Sequence, residues 1–421
     1  MRGQRHQTAS GSKRRASGYV LVLGATLLIS VIGLTSLTLV RVQYKVEQSG
    51  MDAIHAQMYA RSGVELALST SYVDSSWRAN YASYTALMPL AFDKGTCSIA
   101  ISEADGSALD TATDNPVLLT GVGTVGSAAS PHAVYKWSVS AHQPAMEFLR
   151  TALHAAGSIT VSGGTITAED GPLSTNQTLT NLGTINGDVE AKVLLNAGSI
   201  SGSITVNAPA KSMPSSTALD FYRSRATTLP AASIGSTLQW VVLSPQSNPY
   251  GSANADGLYY IKPGGNLTIK NCRIVGTLVV ELFSGRTLTL DQGLLWQTAR
   301  ADYPALVLSG SCDIQMEPTL YESNLLSFNP PGTPYRGQSD TDKVDSYPSS
   351  IGGLIHVIGS TSSVLVQDSS QIVGCLVAEG PVELRNTPKL TADLDFLVDP
   401  PQRYRSSWLV LDPGTWTRIT P

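Results

Sequence analysis

A polysaccharide-cleaving site needs two carboxylates at a fixed separation, or a calcium cluster beside a basic residue. The candidates are Asp291, Asp313, Glu317, Glu379 and Glu383, with Arg273 and Arg286 as the cations. They share no common spacing and read as solvated surface charges. The run SDTDKVD supplies Asp340, Asp342 and Asp345 but lacks the glycine and closing glutamate of an EF-hand loop. His6, His55, His132, His142, His154 and His356 form no metal-ligand pattern, and no GxSxG elbow marks a serine nucleophile. Cys97, Cys272, Cys312 and Cys375 form neither a CxxC nor a Cys/His cluster, so they read as thiols buried beside strand residues rather than as a disulfide framework. Asn176 and Asn266 begin N-x-T sequons, a pattern frequent by chance. The expectation is a chain without catalytic residues, cofactor or metal, and not an enzyme.

The elements that must carry these residues are strand-rich. Charged residues are 14% of the 421, glycines number 37, and short alternating Ser/Thr/Val/Leu runs recur. This composition favours strands and tight turns over helix bundles. Net charge is −4, yet residues 1–18 hold Arg2, Arg5, Lys13, Arg14 and Arg15 and no acid. Without them 23 Lys+Arg face 32 Asp+Glu, an acidic body with no basic stripe, so nucleic acid is not expected as a partner.

The departure from this texture is at the N-terminus. RRASGYVLVLGATLL spans Arg14–Leu28, and Tyr19–Val40 has 22 residues without a charge. At ~1.5 Å per residue the run reaches ~33 Å, enough for a hydrocarbon core of ~30 Å. It exceeds the apolar core of a removable secretion signal and ends without a small-x-small site. Five basic residues precede it, and Arg41 and Lys45 follow, favouring the N-terminus in the cytoplasm and the bulk outside. Helical spacing then continues through 41–72. Met51, Ile54 and Met58, then Ala60, Val64 and Leu68, mark an apolar stripe, with Gly50 and Gly63 as points where the helix could bend.

A short basic leader, a glycine, an aromatic residue and an apolar helix resemble the N-terminus of a type IV prepilin. ARSGVELAL at Ala60–Leu68 resembles the helix of PilX-type minor pilins. The resemblance covers roughly the first 70 residues. It implies cleavage by a prepilin peptidase after Gly18, leaving Tyr19 as the first mature residue. Major pilins carry glutamate at the fifth mature position, where this chain has Leu23. Some minor pilins and GspK-type pseudopilins also lack that glutamate. The missing carboxylate removes a partner for a neighbouring N-terminal amine, which points to a tip subunit, an initiator or a simple anchor.

Residues 73–150 read as a small pilin-like β domain, with strands in CSIAISEADG, PVLLTGVGTVG and AVYKWSVSA, and with Trp77 and Trp137 as packing residues. From 151 to 398 short apolar alternations end repeatedly in Gly, Ser or Asn. AGSI occurs at Ala156–Ile159 and again at Ala197–Ile200. Irregular repeats of about 20 residues predict a parallel β-helix, or solenoid, with a β-sandwich as the alternative. The segment resembles bactofilin-like β-helices, and its later part the C-terminal region of large PilX-like proteins. Residues 318–350 form a long excursion from the solenoid. In the tail, 399–421, Trp408, Leu409, Val410, Leu411 and Trp416 are expected to cover the last coil or pack along its side.

The fold class expected is therefore mainly β: an N-terminal transmembrane and amphipathic helix, a small antiparallel sheet, then a parallel β-helix. The function expected is a single-pass structural subunit of the bacterial cytoplasmic membrane. It would be a PilX-like minor pilin or pseudopilin of a pilus or type II secretion-like apparatus. Its partners would be the bilayer, prepilin peptidase and other pilin-like subunits, with glycan or protein contacts on the solenoid. The alternatives are a membrane-tethered polysaccharide-binding or polysaccharide-active β-helix protein, and an anchored envelope protein with no filament role.

Overall fold

The computed structural model describes residues 13–82, 87–110, 114–127, 130–215, 217–323 and 326–419. Most of the basic leader, with Arg2, Arg5 and His6, lies outside the described residues. The chain divides into two units. Residues 1–110, 116–142 and 411–421 form one, and 111–115 with 143–410 form the other.

In the first unit a single helix, α1, runs from Lys13 to Val73. Its N-terminal half is exposed on every face, and its most apolar 18-residue window has a mean hydropathy of 2.4 with none of it buried. That half is long and apolar enough to cross a membrane. Four of its hydroxyls bond within the helix. Thr26 donates to the Val22 and Leu23 carbonyls, Ser30 to Thr26, Thr35 to Val31 and Ile32, and Thr38 to Leu34 and Thr35. In hydrocarbon a free hydroxyl has no water to turn to, so this back-bonding lets polar residues stay in the span.

The C-terminal half of α1 packs on an antiparallel sheet of β1 (Leu87–Phe92), β2 (Gly95–Glu103), β3 (Val117–Ser127) and β4 (Ser130–His142), in that order. The buried stripe is Ala56, Tyr59, Ala60, Gly63, Val64, Ala67 and Ser71. Met51, Ile54 and Met58, expected on that stripe, are instead more than half exposed. These three lie on the opposite face of α1 from the residues that meet the sheet. Gly50 and Gly63 interrupt nothing, and α1 is one continuous helix through both.

The second unit is a solenoid sheet of twenty-one strands in parallel pairing. Inward-facing residues stack in rows. Ile351 aligns with Ile372, and Ile372 with Leu390. Leu288 aligns with Cys312, and Cys312 with Val364. One continuous core of Leu, Ile, Val and Ala fills the interior. No single coil could bury such a row alone, so stacking creates the core.

Coil order differs from chain order. The coil at 153–169 lies between its successor, 173–186, and the coil at 371–391, more than two hundred residues away. The chain climbs from 153 to one end at Val206, crosses through a segment containing the helix Thr217–Arg223, and restarts at the other end near Thr227. The two AGSI segments are not equivalent positions. Ile159 aligns with Leu179, whereas Ile200 aligns with Ile185 on another face. Coil steps are uneven, since Leu153, Leu173, Val189 and Ile204 follow one another in a single row.

The tail departs from expectation. Strand Thr417–Ile419 pairs antiparallel with β4, and Trp416 meets Trp137 edge-on with ring centroids 5.8 Å apart. The last residues thus extend the antiparallel sheet of the first unit instead of covering a solenoid coil.

Candidate functional site

The best-built feature of the first unit is the seat of α1. A Cβ added at Gly121 would lie 2.0 Å from the Ala60 carbonyl oxygen, and one at Gly123 would lie 2.0 Å from that of Ala56. A Cβ at Gly63 would lie 2.6 Å from Cys97 Sγ. Glycines 121 and 123 are two apart on one strand, so both face the helix and bring backbone against backbone. The signal was legible as GVG inside a strand, though not as a helix seat. Beside this seat Trp137, Trp416, Gln57 and Arg61 line a cleft of about 220 Å³, with the Arg61 guanidinium 6.0 Å from the Trp416 ring. Trp77, as expected, is a packing residue, buried to 1% exposure.

Gly18 and Tyr19, the expected processing pair, lie within α1. Nothing lies within 4 Å of a Cβ placed at Gly18, and Tyr19 is 73% exposed. The pair is accessible on the helix surface.

The solenoid residues with catalytic potential do not converge. Asp291 and Asp313 sit on neighbouring strands of an open face, where Asp291 aligns with Gln315 and Thr289 with Asp313. Burial raises the Asp313 pKa, and Asp368 and Asp291 push it the same way against the nearby Arg385. Glu383 pairs with Arg385 at 2.8 Å. Glu379 lies 3.6 Å from His356 Nε2 and accepts from the Gly359 amide. Arg273, a candidate cation, is buried to 2% exposure and has a structural task. It donates to the carbonyls of Phe328 and Thr333, each at 2.6 Å, and of Pro334 at 3.0 Å. It thereby clamps the 318–350 excursion, whose Phe328 and Tyr347 pack on Val242, Leu295 and Leu320.

That excursion brings Glu322 to Asp340, Asp342 and Asp345, with carboxylate oxygens within 4.8 Å of one another. Glu322 is absent from the sequence pattern because it is joined to it by the hairpin Thr319–Tyr321/Ser346–Pro348. Its oxygens already accept from the Phe328 and Asp345 amides and from the Ser327 and Tyr347 hydroxyls. Glu322 is an acceptor hub that holds the loop together.

A buried polar group, also unseen in the sequence, lies on the solenoid face covered by Phe148, Phe221, Tyr222 and Tyr404. His154 Nδ1 is 3.1 Å from Ser174 Oγ, Ser174 donates to Glu190, and Lys211 binds both Ser174 and Glu190. Because Ser174 gives its proton to Glu190, the His154 Nδ1–H is the donor to Ser174. Among the described residues, nothing hydrogen-bonds to the buried Nε2 of His154. Burial, then the Lys211 charge, drive the His154 pKa down to about 3. His356 is likewise pushed down by burial. The four cysteines are buried and free of disulfides, and burial pushes the Cys272 and Cys375 thiols up to about 12. Asn176, in the first sequon, is held by both the amide and the carbonyl of Lys211.

No protein-family model and no curated protein matches the chain. Among solved structures, the competence-associated pilin ComZ from Thermus thermophilus is similar at 11% identity with a TM-score of 0.25, covering 87% of this chain and 97% of that one. The DUF3494 domain of ice-binding protein 1 from Shewanella frigidimarina is similar at 17% identity with a TM-score of 0.29, covering 60% of this chain and all of that domain. Likenesses this weak assign no function, and the reading below rests on the chain's own residues.

Proposed function

We propose that this protein is a single-pass structural subunit of the pilin type, a PilX-like minor pilin or a pseudopilin, that displays a β-solenoid outside the cytoplasm. The observation that carries the reading is α1. One uninterrupted helix has a first half that is apolar and exposed on all sides, and a second half seated on the glycines of a small antiparallel sheet. A helix exposed in this way must be covered by lipid or by the helices of neighbouring subunits. Residues 1–18 would lie in the cytoplasm and be removed by a prepilin peptidase between Gly18 and Tyr19. With Leu23 in place of the usual glutamate, the chain suits a tip or initiating position better than the repeating body of a filament. In this reading the solenoid is a displayed surface for protein or glycan contacts and has no catalytic role, in keeping with candidate acids that are dispersed or already hydrogen-bonded.

The test is the N-terminal residue of the protein isolated from its native membranes, by intact mass and terminal sequencing. A chain beginning at Tyr19 supports the pilin pathway. A chain retaining residues 1–18 overturns it and leaves an ordinary signal anchor.

A further inference from the structure

Tyr135 and Trp137 lie on the face of the antiparallel sheet that carries α1. Trp137 aligns with Gly121 and Tyr135 with Gly123, the two glycines on which the helix is seated. On the other side of β4, Arg418 of the tail strand aligns with Trp137. A groove therefore runs between the flank of α1 and the edge of the sheet. In it Gln57, Arg61, Trp137 and Trp416 enclose the cleft of about 220 Å³.

Trp137 reads in the sequence as a packing residue, yet both indoles keep part of their surface open to solvent. Their rings stand at 89° to each other, so one forms a floor and the other a wall. Tyr135 continues the aromatic surface, 5.6 Å from Trp137, and the Arg418 guanidinium lies 4.5 Å from its ring centroid. An indole face hydrogen-bonds water poorly, so covering it releases water favourably. The ligand that matches such a corner has C–H groups on one face and polar groups around its rim, which is the chemistry of a pyranose ring. Its C–H face would lie on one indole and its edge against the other. Gln57 offers both a donor and an acceptor for ring hydroxyls. Ligand pockets are typically ~300–1,000 Å³, so a cleft of this size takes a single sugar ring, with its neighbours running along the groove.

Charge decides which sugar. No acid lines the cleft. Among the described residues Arg61 has Glu65 as its ion-pair partner, at 3.9 Å, with both side chains more than half exposed. A pair this open is held weakly and leaves the guanidinium available. Its planar fork fits a carboxylate through two parallel hydrogen bonds. A nucleic-acid strand would also offer stacking and anions. Its phosphates, however, would face a body with 32 Asp+Glu against 23 Lys+Arg, whereas one uronate ring asks for one guanidinium.

We propose that the Trp137/Trp416 cleft binds a uronate ring of an acidic glycan, stacked on the indoles with its carboxylate on Arg61. The proposal does not rest on the pilin reading, and a chain that retains residues 1–18 leaves it standing.

The full chain, in a detergent without a sugar headgroup, is titrated by calorimetry with trisaccharides of galacturonate and of glucuronate, with their carboxyl-reduced neutral forms, and with a thymidine trinucleotide. At least one acidic trisaccharide is expected to bind, with its neutral form at least ~10-fold weaker, because a charge-assisted hydrogen bond is lost. Arg61→Gln should remove that difference by weakening the acidic form alone. Arg61 is exposed, so this variant keeps the fold, and an unchanged melting temperature checks it. Trp416→Ala should weaken both forms at least ~5-fold. Lys192→Gln, which removes an exposed charge on the solenoid, should change neither. Absence of binding by both acidic trisaccharides at ~10 mM overturns the proposal. So do equal affinities for acidic and neutral forms, wild-type binding by Arg61→Gln or Trp416→Ala, and a trinucleotide that binds more tightly than either uronate.

Discussion

Mild acid is expected to destabilise the solenoid through His154 before its carboxylates titrate. The imidazole is fully buried, stacked on Phe148 with ring centroids 6.2 Å apart, and its Nε2 has no partner among the described residues. Adding a proton would place a cation beside Lys211 with an N–H that nothing accepts. The folded pKa is therefore about 3, against an ordinary value of 6.5. Below pH 6.5 the unfolded chain binds a proton that the folded chain refuses, so stability falls as pH falls, from 6.5 towards 3. Each pH unit in that window costs ~1.4 kcal/mol, and the step from pH 6.5 to 5 costs roughly 2 kcal/mol from this residue. The assay is urea unfolding of the full chain in detergent at pH 7, 6.5, 6, 5.5 and 5, for wild type and for His154→Gln. Glutamine keeps a side-chain donor for Ser174 but does not titrate. His356 adds a slope of the same sign to both proteins, so the difference between them isolates His154. The expected result is that the variant is the less stable at pH 7 but loses roughly 2 kcal/mol less than wild type down to pH 5. Parallel curves would refute the reasoning, because they would mean that the imidazole is protonated or solvated in the fold.

Three further outcomes follow from packing and hydrogen bonding. Gly123→Val pushes a branched side chain into the Ala56 carbonyl and should cost about 1–3 kcal/mol, seen as a lower melting temperature and as proteolysis within residues 56–71. Gly50→Ala, in open space on the same helix, should instead stabilise by up to ~1 kcal/mol. Arg273→Met leaves the carbonyls of Phe328, Thr333 and Pro334 without their donor, so limited proteolysis should cut within 328–345 at least tenfold faster, and an unchanged cleavage rate would show that the clamp does not hold the loop.

Sequence alone determined the elements. An uncharged run of 22 residues reads as a helix long and apolar enough to cross a membrane, because it offers water no polar face. The alternation of Ile, Val and Leu with Ser and Thr, ended by Gly and Asn, fixes strands with one buried row, and their number and shortness point to a solenoid. These are local properties, set by residues one to four positions apart.

The tertiary structure decided what touches what. The 153–169 coil lies on 371–391, and Thr417–Ile419 joins the sheet of β4. Parallel edges of similar width and apolarity are interchangeable in sequence, so their neighbours are chosen by how the whole stack closes. Arg273 looked like a candidate cation for catalysis and is a clamp, because the carbonyls it binds lie at least 55 residues away. Glu322 was invisible beside Asp340, Asp342 and Asp345 until a hairpin folded it back. His154, Ser174 and Lys211 are polar residues that no nearby residue marks as buried, and Glu190 is half-buried beside them. Phe148 stacks on His154, and the segment carrying Lys211 is held against Asn176. Burial of an outward-facing residue depends on what the rest of the chain lays over it, and no pattern of nearby residues encodes that.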